Sequence, residues 1–364
     1  MKIAIIGTRG IPNHYGGFEQ FVQFFSVMMA ARGHDVTVYN SSLHPYKENN
    51  YQGVNIVHVR DWEDKLGVFG QFLFDFNAIR HARKRQYDIT LQLGYTSSSV
   101  WMWLFDPKTR IITNMDGLEW KRSKYSRPVQ RFLKRAEQWA AMYSDDLVAD
   151  NYGVQEHLLH TYDRKATLIE YGAAPVTAIS AEIPAKYGLS PCAYYLVIAR
   201  LEPENNIEMI IDGYLRSGQE SPMAVVGSLH TKYAHQLLER FGQEPRVRFL
   251  DAIFDKDILD SLRYHSRLYF HGHSVGGTNP SLLEAMAAGC VICAHDNVYN
   301  RTVLNGTAHY FRYPADIAQI INSGNDAINE DWKLHNQKRI AEYYNWELIV
   351  SKYETLFRKT PQRS

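Results

Sequence analysis

The chain has 364 residues, 45% hydrophobic and 22% charged, with a formal net charge of +1. That length suits two domains better than one core. The composition excludes a disordered chain, and the charge balance excludes a bulk electrostatic case for binding nucleic acid. Three cysteines, Cys192, Cys290 and Cys293, are too few and odd in number for a disulfide framework, and fit a reducing compartment. Cys290-Val291-Ile292-Cys293 lies in an apolar run that reads as a strand, where residues three apart face opposite sides, so no shared metal is expected.

In chain order, Met1–Gly7 carries an apolar run too short for a signal peptide and reads as a first strand. Further strands are predicted at Asp35–Tyr39, Val54–Val59, Asp88–Leu93, Arg110–Asn114 and Asp146–Ala149. Amphipathic stretches at Phe18–Arg32, Gly67–Arg85, Pro128–Tyr143 and Tyr152–Thr161 lie between most of them. Breakers are dense between Gly172 and Pro191, so residues 173–191 are read as a linker between a first domain, 1–172, and a second, 192–344. The second cycle places strands at Tyr194–Ala199, Ala224–Val226, Arg246–Leu250, Leu268–His271 and Val291–Ala294. Helices are predicted at Ile207–Arg216, Lys232–Phe241, Lys256–Arg263, Ser281–Ala288 and Ala315–Ser323. The tail from Glu330 to Lys359 reads as wholly helical. Alternation of this kind means α/β architecture: two Rossmann-like, doubly wound parallel-sheet domains, whose strand C-termini face a central cleft. No stretch approaches the length of a membrane-spanning helix.

Four loops at strand ends concentrate reactive side chains. Gly7 to Glu19 is Gly-rich and runs into a helix. Gly16 and Gly17 let a phosphate or sugar approach the backbone, and Arg9 supplies a cation. No acidic residue follows Tyr39, where an adenosine ribose would want one, so a nicotinamide enzyme ranks low. Thr113 to Tyr125 contains Asp116, Glu119, Trp120, Lys121 and Arg122. Asp116 could orient or deprotonate an acceptor hydroxyl; its competing reading is a turn-forming Asp before Gly. Ala199 to Ile207 holds Arg200, whose fork suits a diphosphate, and Asn205. His273 to Gly289 follows a buried-looking strand ending at His271. There Gly277 and Thr278 precede Asn279 and Pro280, which open a helix carrying Glu284. Backbone N–H groups would meet a diphosphate, and Glu284 would accept from ribose hydroxyls. His271, His273, Thr278 and Asn279 are candidates to contact the sugar.

From Lys121 to Arg135 there are seven Lys or Arg and no acidic residue. Trp120, Tyr125, Phe132 and Leu133 interleave with them. The segment 120–135 suits an anionic membrane leaflet, with a solvated helix face or contacts to a diphosphate-linked acceptor as alternatives.

Gly-Gly-Phe-Glu, Asp-Gly-Leu-Glu-Trp-Lys-Arg, Pro-Glu-Asn-Asn-Ile and His-Ser-Val-Gly-Gly-Thr-Asn-Pro-Ser-Leu-Leu-Glu-Ala-Met together resemble retaining glycosyltransferases of family 4. The likeness is to the bacterial rhamnosyltransferase branch that builds capsule and cell-wall polysaccharides, and it runs from residue 1 to about Phe357. It implies the GT-B architecture, with the first domain binding acceptor, the second binding nucleotide sugar, and helix 345–360 crossing back to the first. Family 4 enzymes generally pair the Arg at 200 with a Lys five residues on, where this chain has Asn205. They also carry a Glu where Gly276 stands. Both departures are familiar in that branch. The resemblance implies a cytoplasmic enzyme, peripheral on the inner face of the plasma membrane. It would move a sugar, L-rhamnose from dTDP-β-L-rhamnose, to a lipid-linked saccharide, with no cofactor and no metal. Asp116, Arg200 and His273 would serve catalysis. Asp116, Glu119, Trp120, Lys121 and Arg122 would meet acceptor. Alternatives are a UDP- or GDP-sugar donor, a nucleotide-sugar epimerase on the same scaffold, and a non-catalytic sugar binder.

Overall fold

The computed structural model describes residues 1–14, 16–122, 125–176, 178–275, 277–324 and 330–359. The chain forms two compact units. One comprises 1–121, 125–171 and 346 onward; the other comprises 122–124 and 172–345.

The first unit holds strands β1 (Lys2–Ile6), β2 (Asp35–Ser41), β3 (Asn50–Tyr51), β4 (Val54–Val59), β5 (Ile89–Leu93), β6 (Arg110–Asn114), β7 (Asp146–Ala149) and β8 (Ala166–Leu168). They form one sheet in the order β3-β4-β2-β1-β5-β6-β7-β8. Every pair is parallel except β3–β4. Helices α1 (Gly17–Ala31), α2 (Glu63–Leu66), α3 (Val68–Arg83), α4 (Arg127–Tyr143) and α5 (Tyr152–Tyr162) connect them. β5 is buried along its whole length, as expected of a parallel strand covered on both faces.

The second unit opens with α6 (Glu182–Lys186), so the stretch read as linker carries a helix of its own, packed on the helix Lys256–Tyr264. Then follow β9 (Tyr195–Ile198), α7 (Ile207–Arg216), β10 (Met223–Val226), α8 (Lys232–Phe241), β11 (Val247–Leu250), α9 (Lys256–Tyr264), β12 (Leu268–His271), α10 (Pro280–Ala287), β13 (Ile292–His295), α11 (Val298–Leu304), β14 (His309–Phe311), α12 (Pro314–Asn322) and α13 (Glu330–Tyr343). Their sheet is wholly parallel, in the order β11-β10-β9-β12-β13-β14. Its core packs Tyr195, Val197, Ile210, Tyr214, Val225 and Phe270. Cys290 and Cys293 are buried free thiols, and burial pushes the Cys290 thiol up to about 12.

The tail is two helices rather than one. α13 ends at Tyr343, and α14 (Trp346–Arg358) belongs to the first unit. There Tyr353 and Phe357 pack on Phe25, and Trp346 stacks on Phe24. Arg32 pairs with Glu347 and Glu354. Asn114 donates to the Tyr353 hydroxyl at 3.0 Å in the core.

Candidate functional site

In each sheet the chain reverses its direction of winding between two central neighbours, β1 and β5 in the first and β9 and β12 in the second. The crevice beyond the carboxyl ends of such strands is where ligands bind in doubly wound folds.

In the second unit, the loops after β9 and β12 are laced together there. Asn205 Nδ2 donates to the Arg200 carbonyl at 2.7 Å. A carbonyl can only accept, so the amide oxygen of Asn205 faces His273 Nδ1, also at 2.7 Å. That oxygen places the His273 proton on Nδ1. Asn206, left-handed at φ 51°, donates to the Gly272 carbonyl. A Cβ on Gly272 would stand 2.0 Å from the Asn205 carbonyl oxygen, so the loops approach this closely only with glycine. Ser274 binds the Glu204 carbonyl through both N–H and Oγ. Asn297 and Asn300 each donate to the His273 carbonyl at 3.0 Å.

Asn205 therefore serves as a tether between the two loops. Arg200 lies exposed beyond β9. His271 is buried at the end of β12; burial and the neighbouring His295 and Arg263 lower its pKa to about 3, and its Nε2 has no partner among the described residues. His273 is also held neutral, by burial first and by His271, Arg122 and Arg200 next. A neutral imidazole gives a diphosphate no charge.

Gly277 and Thr278 are buried just before α10. Asn279 caps that helix, accepting from Ser281 N, and Pro280 opens it. Glu284 sits one turn in, half-buried. Its Oε2 takes Arg263 Nη2 at 2.5 Å. Arg263 is itself wholly buried, with its other arm on Asp260 at 3.1 Å. Gly276 lies outside the described residues.

In the first unit, Gly7 has φ +90°, and a Cβ there would meet the Leu93 carbonyl oxygen at 2.3 Å. Gly16 is the N-cap of α1 and Gly17 its first residue. The Arg9 guanidinium is gripped by Glu63 at 2.5 and 3.0 Å. Arg9, His14, Ser41, Leu43, His44, Glu63 and Asp64 line a hollow of about 380 Å³. Burial and His14 push His44 down to about 4, leaving it neutral. Asp116 follows β6 in a left-handed conformation, φ 49°, and its N–H donates to Asn114 Oδ1. Tyr171 donates to its Oδ1 at 3.4 Å. Asp116 is thus the turn-forming residue, with its carboxylate held by Tyr171.

Trp120 is anchored inward. Its indole N–H donates to Glu137 at 3.0 Å, and the ammonium groups of Lys121 and Lys134 lie 5.3 and 5.2 Å from its ring. Glu137 is buried and also accepts from Tyr95, His157 and Tyr162. Glu119 N–H donates to the Tyr95 hydroxyl at the same hub. Arg122 is buried and paired with Glu204 at 3.2 Å within the second unit, so its charge is committed to that carboxylate. Sequence reasoning missed Glu137, Glu204 and Arg263, buried charged residues that hold candidate residues in place.

Residues 180–344 match the family of Glycosyl transferases group 1. The chain carries a group 1 glycosyl transferase domain. It is a glycosyltransferase by that domain, with two parallel-sheet α/β domains of GT-B type. Residues 1–174 match a Domain of unknown function (DUF1972). No curated protein matches the sequence. Among solved structures, the fold is similar to sucrose-phosphate synthase from Thermosynechococcus elongatus (TM-score 0.79, 16% identity, 98% of both chains). It is also similar to Anabaena HepE in complex with UDP-glucose (0.75, 17%, 98% of this chain and 99% of that one). Trehalose-6-phosphate synthase OtsA is a third (0.74, 10%, 100% of both chains).

Proposed function

We propose that the protein transfers a sugar from a nucleoside diphosphate sugar to a lipid-linked saccharide, with retention at the anomeric carbon and without a metal. One observation carries the reading. Gly277 and Thr278 precede the capped N-terminus of α10, and Glu284 is braced by Arg263 one turn further on. That combination offers N–H groups to an anion and a fixed carboxylate to a ribose. HepE, of the same fold, binds UDP-glucose.

Arg200, the backbone of Gly277 and Thr278 and the α10 N-terminus would hold the diphosphate. No carboxylate nucleophile is assigned, so attack would occur on the front face, the leaving phosphate taking the acceptor proton. The protein then contributes orientation and charge stabilisation. Asp116 would orient the acceptor hydroxyl. The sequence resemblance favours dTDP-β-L-rhamnose as donor, and acceptor presented at the inner face of the plasma membrane.

A thermal-shift series tests this with dTDP, dTDP-rhamnose, UDP-glucose and GDP-mannose, with and without EDTA, since a ligand of the folded state raises the melting temperature. Stabilisation by the dTDP compounds, unchanged by EDTA, is expected. Stabilisation by UDP-glucose alone would keep the transferase and discard rhamnose. No shift with any of them would overturn the nucleotide-sugar reading.

A further inference from the structure

The first unit exposes large apolar side chains in one neighbourhood. Leu66 and Val68 flank the start of α3, and Phe69 on its first turn is 77% exposed. Trp103, in the 3-10 turn Ser98–Leu104, is 70% exposed. Soluble surfaces rarely gather such groups without a partner. These are joined by rings beneath. Phe69 lies 6.4 Å from Phe72, Phe72 lies 5.8 Å from Phe132 on α4, and Phe132 lies 6.5 Å from Trp139. Trp101 donates its indole N–H to the Phe72 carbonyl, and its ring lies 6.4 Å from that of Trp103. No helix among the described residues is long and apolar enough to cross a membrane.

The charge that α4 adds beside this ridge has one sign, while Glu63 and Asp64 stand on the turn before Leu66. α4 turns Leu133, Ala136, Glu137, Ala140 and Ala141 inward, and leaves Arg127, Arg131, Lys134 and Arg135 exposed. Its single acid, Glu137, is buried among its four donors and does not dilute that face. Val129, exposed on the same helix, continues the apolar surface. A basic helix bordered by protruding aromatic and aliphatic side chains is the chemistry of an anionic lipid surface. A second copy of the chain is a poorer occupant, because a two-fold interface would set the α4 cations against themselves.

We propose that this face docks on an anionic bilayer. Leu66, Val68, Phe69 and Trp103 enter the headgroup region, and the α4 cations meet lipid phosphates. The inserted residues therefore differ from the aromatic positions of segment 120–135 singled out in the sequence. Trp120 is tied to Glu137 and Leu133 is buried, so neither reaches lipid. The inference deepens the lipid-linked acceptor reading. Vesicle binding is measured without donor or acceptor, so the two fail separately.

Sedimentation of the full chain with phosphatidylcholine vesicles, with and without phosphatidylglycerol, tests it. The protein is expected to pellet with the anionic vesicles only, and less so as salt rises. Phe69→Ser with Trp103→Ser is expected to weaken binding at least tenfold while melting as the wild type does. Arg131→Gln with Arg135→Gln is expected to weaken it by roughly fivefold per charge. Equal binding to both vesicle types, no binding to either, or unaffected variants would overturn the proposal. So would a wild-type dimer that Phe69→Ser with Trp103→Ser converts to monomer.

Discussion

Replacing Glu284 by Gln keeps the shape of the side chain and removes its charge. In the wild type Oε2 accepts from Arg263 at 2.5 Å, and Arg263 also holds Asp260 at 3.1 Å. The guanidinium keeps one acidic partner in the variant, so folding loses one charge-assisted hydrogen bond, about 2 kcal/mol. The protein stays folded, and nucleotide affinity can be measured directly. A hydroxyl bonded to a carboxylate contributes about 1.5–3 kcal/mol, and tenfold in affinity is about 1.4 kcal/mol. Deoxyribose offers Glu284 one hydroxyl, ribose two. Glu284→Gln is therefore expected to weaken dTDP about tenfold and UDP about a hundredfold or more, read by titration calorimetry. Unchanged affinity for both nucleotides in a folded variant would refute the ribose role. Equal losses for both would refute contact with two hydroxyls.

Asp75 tests burial in the first unit. Burial, with Asp61 adding, raises its carboxyl to about 7 from 3.8, against the Ser97 hydrogen bond. The folded state then holds a proton that the unfolded chain has lost, so stability falls as pH rises from 3.8 towards 7. At about 1.4 kcal/mol per pH unit, Asp75→Asn gains roughly 3 kcal/mol on the wild type between pH 5 and pH 8. Urea melts at the two pH values check this, and a pH-independent difference would contradict it. Glu137→Leu is expected to destabilise by about 3–5 kcal/mol, because it orphans the donors of Tyr95, Trp120, His157 and Tyr162. Trp120 fluorescence and the denaturation midpoint report it, and an unchanged midpoint would argue against the hub.

The sheets were legible because parallel strands buried on both faces read as apolar runs, and Ile207–Arg216 and Lys232–Phe241 carry their amphipathic period without interruption. The elements that escaped are short or lie at a sheet edge. Asn50–Tyr51 is two residues of antiparallel pairing, and His309–Phe311 is an edge strand with no alternation. The break at Tyr344–Asn345 has no Gly or Pro to mark it. The loops that hold the candidate site were legible through Gly, Pro and Asn at strand ends. Their support was not. Arg263 and Glu137 lie on helices whose charge pattern reads as a solvated face, and burial alone distinguishes them. The Arg122–Glu204 pair joins residues 82 apart in sequence, which no local spacing announces.

The position of α14 in the first unit also governs the order in which the protein can be completed on a ribosome. Phe21 and Phe25 of α1 wait for Trp346, Tyr353 and Phe357. Roughly 315 residues separate the end of α1 from the start of α14, and at about 5–20 residues per second their synthesis takes roughly 15–60 s. Throughout that interval α1 has an uncovered aromatic face, while the second unit can be made and folded in full. The half translated first is thus the half that closes last.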